Sequence, residues 1–143
     1  DERVQNRLDD YMTAIFREKN FDQGDYLKAL THTIMGLWGH GPCIFVGRGA
    51  NNVIYRKYGL SVRLVAPKRY RVRYIQYVDK ITEERAERRI DRLDAERESF
   101  VRRLYGKDIN DPTEYDLMLN VTGIRGEDCA SIIAETYKRK FRL

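Results

Sequence analysis

The sequence predicts an α/β fold with a mainly parallel sheet, because short apolar runs alternate with longer segments of helical periodicity. The apolar runs, at residues 43–46, 61–66 and 115–120, have the length and composition of strands. The chain has 143 residues, of which 42% are hydrophobic and 34% are charged. These proportions fit one globular domain and exclude a disordered or collagen-like chain.

Residues 3–38 predict two helices, because apolar residues recur at helical spacing on both sides of a break near residues 20–24. Val4 and Leu8 begin the first pattern, and Tyr26 and Leu30 belong to the second. The Gly-His-Gly-Pro segment at residues 39–42 predicts a turn. The continuous apolar run at residues 43–46 then predicts a strand that is buried on both faces.

The second predicted strand, at residues 61–66, ends at Pro67, and a helix is predicted over residues 69–78. Thr82 has the position of a helix N-cap, and two acidic residues follow it where the helix dipole favours negative charge. We expect this arginine-rich helix to continue to about Leu104. An Asp-Pro step at residues 111–112 ends the helical region. The third strand follows at residues 115–120, and a last helix begins near residues 127–128.

The charge balance favours an anionic ligand held in a cleft over a long basic stripe. The chain has 27 Lys and Arg against 22 Asp and Glu, a net charge of +5. Cys43 and Cys129 are expected to be reduced and mostly buried, and the isolated His32 and His40 predict no metal site. No apolar run is long enough to span a bilayer, and the first residues do not resemble a signal peptide. We therefore expect a cytoplasmic protein with no membrane partner.

The first candidate site is the segment Gly47-Arg48-Gly49, which directly follows the first predicted strand. Ligands of open α/β sheets bind beyond the carboxyl ends of strands. An arginine between two glycines lets the backbone and the guanidinium approach an anion together. The segment fails as a dinucleotide-binding fingerprint, since Asn52 replaces the third glycine. We therefore predict that Arg48 contacts an anionic ligand.

Arg97 interrupts the apolar stripe of the arginine-rich helix. The stripe follows spacings of three and four residues and consists of Ala86, Ile90, Leu93, Phe100 and Leu104. Arg97 occupies the position between Leu93 and Phe100. Either its stem packs while its head reaches water, or it points into a pocket where an anion binds it and Asp94 orients it. The sequence leaves both interpretations open.

A second face of the same helix carries four arginines at i, i+3, i+4 and i+7, namely Arg85, Arg88, Arg89 and Arg92. A charged run of this kind is usually a solvated face, here paired with Glu84, Glu87 and Glu96. The functional alternative is a mobile lid whose guanidinium groups close on transferring phosphates.

Residues 67–73 form a third candidate site, because they place a dense basic cluster at the start of a helix. A helix N-terminus binds phosphate, although a solvent-facing basic patch is the commoner outcome. Tyr70 interleaves with the arginines, as in RNA-binding segments. The chain has no RNP-like or KH-like signature, and the sequence therefore disfavours a nucleic-acid partner.

Several segments together resemble the bacterial cytidylate kinase-like family in sequence, order and spacing, over about residues 41–133. They are GPCIFVGRGAN at residues 41–51, VRLVAP at 62–67, YRVR at 70–73, RRI at 88–90, DAER at 94–97, YGKD at 105–108, DP at 111–112 and YDLMLN at 115–120. The resemblance implies a nucleoside monophosphate kinase of the P-loop NTPase fold, with a three-layer, mainly parallel sheet flanked by helices. It also implies transfer of the γ-phosphoryl group of ATP to CMP or dCMP, with Mg²⁺ accompanying ATP.

The same resemblance implies a role for individual residues. Arg48 would hold the phosphate of the acceptor nucleotide, Asp94 would read its base and Arg97 would bind its phosphate. Arg71 or Arg73 would support the phosphates. The predicted catalytic residues, which would supply lid charge to the transition state, are Arg88, Arg89 and Arg92. No protein ligand for a metal is predicted.

No Gly-x-x-x-x-Gly-Lys-Ser/Thr motif occurs in the chain, although a phosphotransferase of this fold binds the donor phosphates with it. The resemblance places that motif upstream of residues 1–38. We therefore expect a sheet that is incomplete because the P-loop strand is absent from this chain. The chain alone is predicted to be inactive, and a missing N-terminal P-loop segment or another chain would complete the sheet.

These inferences predict a single partial kinase-like domain with four parts. They are a helical acceptor-side region at residues 1–40, the sheet core at 41–81, the arginine-rich lid helix at 82–106, and the last strand with the C-terminal helix at 107–143. The leading hypothesis is a cytidylate-kinase-like phosphotransferase. Two alternatives stay open: a non-catalytic nucleotide- or anion-binding module, and a basic RNA-contacting protein.

Overall fold

The computed structural model describes residues 22–143, which form a helix-rich α/β fold with a small parallel sheet. The helices and strands of this part are α1 (Gln23–Gly39), β1 (Val62–Val65), α2 (Lys68–Asp79), α3 (Glu83–Tyr105), β2 (Leu117–Asn120) and α4 (Gly126–Phe141). Short 3₁₀ helices occur at Ala50–Asn52 and Pro112–Glu114. None of the helices within residues 22–143 is long and apolar enough to cross a membrane.

The chain divides into two compact units, Asp1–Ile44 and Phe45–Leu143, and α1 belongs to the first. Asp22 precedes α1 and Asp25 lies in its first turn, where negative charge is favourable. Ile34 is the buried residue of this helix. The second of the two helices predicted for residues 3–38 is therefore confirmed, whereas the first lies outside the described residues.

The sheet of the second unit consists of β1 and β2, which are parallel. Val62 lies opposite Leu117, and Val65 lies opposite Asn120. The strands predicted at residues 61–66 and 115–120 are confirmed, each with slightly shorter bounds. The resemblance implies an incomplete three-layer fold with a mainly parallel sheet. Residues 22–143 form a parallel sheet of two strands, and a complete three-layer arrangement is not seen in them.

The strand predicted at residues 43–46 is wrong, since this segment has no regular secondary structure. Its side chains are not buried: Ile44 is 92% exposed and Val46 is 73% exposed. A strand needs a hydrogen-bonded neighbour, and within the described residues β1 pairs only with β2. Cys43 lies in this segment and is exposed, whereas Cys129 is buried. The prediction of two mostly buried thiols is therefore right for Cys129 and wrong for Cys43.

Helices α2 and α3 form a hairpin whose core is small and apolar. Ala86 is fully buried between them and forms one apolar cluster with Val72 and Ile90. Lys80 ends α2 in the left-handed conformation, with a φ of 53°. Thr82 caps α3, because its hydroxyl accepts a hydrogen bond from the backbone N–H of Arg85 at 3.4 Å. The predicted start of the arginine-rich helix is thus confirmed.

The Ala86→Leu variant is expected to be about 2 kcal/mol less stable than the wild type. Three added carbons do not fit at a position with 0% exposure, so the two helices of the hairpin must separate or adopt strained rotamers. Urea unfolding followed by circular dichroism measures the effect. An unchanged unfolding midpoint would contradict the close packing of α2 on α3.

At the amino end of the sheet, Asp116 joins three parts of the chain. Its carboxylate accepts hydrogen bonds from the backbone N–H of Ser61 at 2.9 Å, from Nη2 of Arg56 at 2.8 Å and from Nζ of Lys140 at 2.7 Å. Lys140 lies in α4 and also donates to the carbonyl oxygen of Gly59 at 2.8 Å. We call Asp116, Arg56 and Lys140 the amino-end cluster. It fixes α4 and the segment before β1 to the start of β2.

Candidate functional site

Arg71 places a charged pair just beyond the carboxyl end of β1. It lies in the first turn of α2, and its Nε donates to the carbonyl oxygen of Ala66 at 3.0 Å. Its Nη1 donates to both carboxylate oxygens of Asp94 in α3, each at 2.8 Å. The carboxyl ends of parallel strands are where ligands of α/β sheets bind. The predicted site residues Arg71 and Asp94 therefore lie together, at the edge of the sheet where a ligand is expected.

The end of β2 contributes a polar turn to the same edge of the sheet. Asn120 is the last residue of β2 and lies opposite Val65 in the register. Its Oδ1 accepts hydrogen bonds from the backbone N–H of Thr122 at 3.1 Å and from the hydroxyl of Thr122 at 2.7 Å. This geometry turns the chain away from the strand. Asn120 and Thr122 were not predicted as site residues, and their position at the carboxyl end of a strand makes them candidates.

Arg97 lies one helical turn after Asp94, on the same face of α3 as the residues of the apolar stripe. It is exposed, and it makes no hydrogen bond or ion pair with any residue in the described range 22–143. Helix α2 covers the part of the stripe around Ala86 and Ile90, and Asp94 is the last α3 residue to which an α2 side chain is bonded. Among residues 22–143, Arg97 is thus a guanidinium without an acidic partner, one helical turn from the Arg71–Asp94 pair. Asp94 itself is bonded to Arg71, and no hydrogen bond joins it to Arg97.

The Gly47-Arg48-Gly49 segment forms a left-handed turn, with φ values of 81°, 55° and 64°. The hydroxyl of Tyr105, the last residue of α3, donates to the carbonyl oxygen of Arg48 at 3.0 Å. A Cβ on Gly49 would lie 2.4 Å from Cε2 of Tyr105, so only glycine fits under the ring. The turn that carries Arg48 is therefore held against the end of α3. Nothing in the sequence pattern predicted this contact with Tyr105.

The Gly49→Ala variant is expected to lose about 1–2 kcal/mol of stability, because alanine is strained at a φ of 64°. The added carbon also meets the Tyr105 ring. The matched control is Gly59→Ala, since the nearest atom to a Cβ there is Cγ2 of Ile54 at 3.7 Å, an ordinary contact. Chemical unfolding of both variants tests the difference. Equal stability of the two variants would contradict the packing of Tyr105 on this turn.

The three predicted lid arginines all have acidic partners. Nη1 of Arg88 lies 3.3 Å from Glu84, and Nε of Arg92 lies 3.7 Å from Glu96, both on the exposed face of α3. Arg89 is different, because it is half-buried and binds Asp79 at the end of α2. The structure thus places Arg88 and Arg92 on a solvated face and Arg89 in the contact between the two helices.

Lys68 and Arg73 lie on opposite sides of α2. Nζ of Lys68 binds Asp91 at 2.7 Å and Glu87 at 3.1 Å. The hydrogen bonds to Asp91 and then to Glu87 raise the pKa of Lys68 above its ordinary value. Arg73 is exposed and makes no hydrogen bond or ion pair within the described part of the chain. Arg71 and Arg73, which were predicted together, are therefore in different environments.

The described residues offer no evident metal-binding centre. No group of three or more His, Cys, Asp or Glu side chains within residues 22–143 is arranged to hold a metal ion. The acids at the candidate site are bonded to arginine or lysine, as Asp94 is to Arg71. The arrangement can bind an anion through Arg97, with a carboxylate beside it that still has lone pairs to accept hydrogen bonds.

Comparison with known proteins agrees with the resemblance of the motifs. The model of the cytidylate kinase-like family matches residues 1–123, a range that contains the two strands and the α2–α3 hairpin. No curated protein matches the chain. The matched range also includes Arg48, Arg71, Asp94 and Arg97. The chain therefore belongs to the cytidylate kinase-like family, and its role is kinase-like and related to nucleotides.

Proposed function

We propose that the protein transfers the γ-phosphoryl group of ATP to CMP or dCMP, and that this chain supplies the acceptor-binding and lid residues. An oxygen of the acceptor phosphate attacks the γ-phosphorus, the bond from that phosphorus to the β–γ bridging oxygen breaks, and ADP leaves with CDP or dCDP as the other product. Family membership supports the kinase-like part of the proposal. The observation that carries it is the exposed, unpaired guanidinium of Arg97 beside the Arg71–Asp94 pair, among the residues that the structure describes.

The acceptor nucleotide fits the charges at this edge of the sheet. Arg97 would bind the acceptor phosphate through charge-assisted hydrogen bonds, and Arg48 would bind it from the glycine-flanked turn. Asp94 has a side chain that is 45% exposed, so a nucleotide can reach its carboxylate. Aspartate and glutamate accept hydrogen bonds from the exocyclic amine of cytosine. A cytosine base therefore suits Asp94, while the hydrogen bonds from Arg71 hold its carboxylate in place.

The lid residues would act on the transferring phosphoryl group. The ion pairs of Arg88 and Arg92 join exposed residues one turn apart on α3, and such pairs are weak, about 0.3–0.5 kcal/mol each. These two guanidinium groups can therefore exchange a carboxylate for a phosphate at little cost. Arg89 would first have to leave Asp79, so in this proposal it positions the lid helix on α2 rather than touching the phosphates.

Mg²⁺ enters the proposal only as the ion that accompanies ATP. It would neutralise charge on the donor phosphates. The side chains described here do not form a ligand set for it, since no suitable cluster occurs between residues 22 and 143. Every protein contact in the proposal is made by arginine or aspartate.

The proposal is tested by ADP formation, measured with ATP, Mg²⁺ and CMP on the protein isolated at its native length. ADP formation that depends on CMP or dCMP supports it, and a paired Arg88→Ala and Arg92→Ala change should then lower kcat more than it raises the KM for CMP. CMP binding without ADP formation would contradict the kinase and favour a non-catalytic nucleotide-binding module. A protein that neither binds CMP nor forms ADP would overturn the assignment of the site.

A further inference from the structure

The outward face of α2 concentrates exposed aromatic and basic side chains. At 100° per residue, five residues of α2 fall within an arc of about 140°. They are Arg69, Tyr70, Arg73, Tyr74 and Tyr77, which we call the Tyr/Arg face. Tyr74 is 61% exposed and Tyr77 is 84% exposed, and both arginines are also exposed. A contiguous patch of exposed aromatic rings on one helix face is typical of a binding surface.

The charges of α2 are divided between its two sides. Lys68 and Arg71, which lie outside the Tyr/Arg face, bind carboxylates of α3. Arg69 and Arg73 make no hydrogen bond or ion pair with any of residues 22–143, and the face contains no acidic residue. Acids of α3 therefore compensate the positive charge on the α3 side, whereas no acid of residues 22–143 pairs with the arginines of the Tyr/Arg face.

We propose that the Tyr/Arg face binds single-stranded nucleic acid. Unpaired bases stack on aromatic rings whatever their sequence, and arginines bind the phosphates between them. Tyr70 to Tyr77 spans about 10 Å along the helix, which suits two or three stacked bases. The sequence already shows a basic cluster with an interleaved tyrosine at residues 67–73. The structure adds that Arg71 is paired with Asp94, whereas Arg69 and Arg73 have no partner among residues 22–143.

The charge of the face argues against a second copy of the chain as its occupant. Two such faces in contact would bring the guanidinium groups of Arg69 and Arg73 from both copies together, without an acid between them. Burying like charges in this way is unfavourable. A polyanion compensates the same groups, and its bases cover the tyrosine rings.

The test is the fluorescence anisotropy of a labelled oligouridylate of about 12 nucleotides, titrated with the protein at several salt concentrations. Tyr74→Ala and Tyr77→Ala are each expected to weaken binding about fivefold or more. Arg69→Ala is expected to reduce the slope of log affinity against log salt by about 0.7. The matched controls are Tyr55→Ala, which removes a tyrosine 76% exposed outside the face, and Arg103→Ala on α3. Both controls should bind like the wild type.

Four outcomes would overturn the inference. They are no binding by the wild type, equal weakening by Tyr55→Ala and Tyr74→Ala, displacement of the oligonucleotide by saturating CMP, and a change of molar mass by light scattering in Tyr74→Ala. Displacement by CMP would place the oligonucleotide at the acceptor site, and a mass change would make the face a contact between copies. Since CMP binding is measured separately in Tyr74→Ala, failure here is distinguishable from failure of the kinase proposal.

Discussion

Replacing Arg97 with alanine is expected to weaken CMP binding by about 1.5–3 kcal/mol, which is roughly a 10- to 150-fold rise in Kd. The guanidinium is exposed and unpaired within residues 22–143, so the variant removes no internal contact there and should fold normally. The lost affinity is then that of charge-assisted hydrogen bonds to the acceptor phosphate. Calorimetric titration of CMP measures it.

The matched control for this prediction is Arg103→Ala. Arg103 is also exposed on α3, and it also makes no hydrogen bond or ion pair among the described residues. Both variants lower the net charge by one, so a purely electrostatic effect of the whole protein would be the same in both. If the two variants bind CMP equally well, Arg97 is not part of the acceptor site.

Removal of the carboxylate in Asp116→Ala is expected to lower the free energy of unfolding by about 3 kcal/mol. The Asp116 side chain is only 14% exposed, and the change leaves Arg56 and Lys140 without their common acid. Urea unfolding measures the loss. The control is Asp128→Asn, because Asp128 is an exposed acid in the first turn of α4 and should cost less than about 1 kcal/mol. Equal losses would mean that the amino-end cluster does not stabilise the fold.

The same cluster predicts a loss of stability in acid. Burial raises the pKa of Asp116, but hydrogen bonds from Lys140, from the Ser61 N–H and from Arg56 outweigh it, so the pKa lies below the ordinary value of 3.8. This stabilisation is fully present above the ordinary pKa and is lost as the pH falls through the lower pKa of the folded protein. The urea midpoint of the wild type should be lower at about pH 3 than at about pH 6. If Asp116→Asn loses as much stability between these two pH values as the wild type does, the effect belongs to other acids.

The elements that the sequence predicted well are those whose signal is local. The strands at Val62–Val65 and Leu117–Asn120 follow from short apolar runs, and the start of α3 follows from Thr82 and the acidic residues after it. The segment at residues 43–46 has an equally apolar pattern, but Ile44 and Val46 are exposed. A strand depends on a neighbour as well as on its own composition. The sequence of this segment carries no information about that neighbour.

The sequence singles out the residues of the candidate site, but it does not give the contacts between them. Arg97 stands out in the sequence because it interrupts an apolar stripe, and its side chain is exposed and unpaired among residues 22–143. The bond between Arg71 and Asp94 joins residues 23 positions apart on two helices, and the contact between Tyr105 and Arg48 joins residues 57 apart. The first contact depends on how α2 packs on α3, and the second depends on how the turn at residues 47–49 lies against the end of α3. Periodicity gives neither.

The most direct test of the acceptor site is nuclear magnetic resonance of the arginine Nε–H groups during a CMP titration. We expect the signals of Arg97 and Arg71 to move with CMP concentration, while the signal of Arg103 stays in place. Movement of Arg97 with saturation would locate the acceptor nucleotide at the carboxyl edge of β1 and β2. CMP binding that leaves the Arg97 signal unchanged would contradict the central claim.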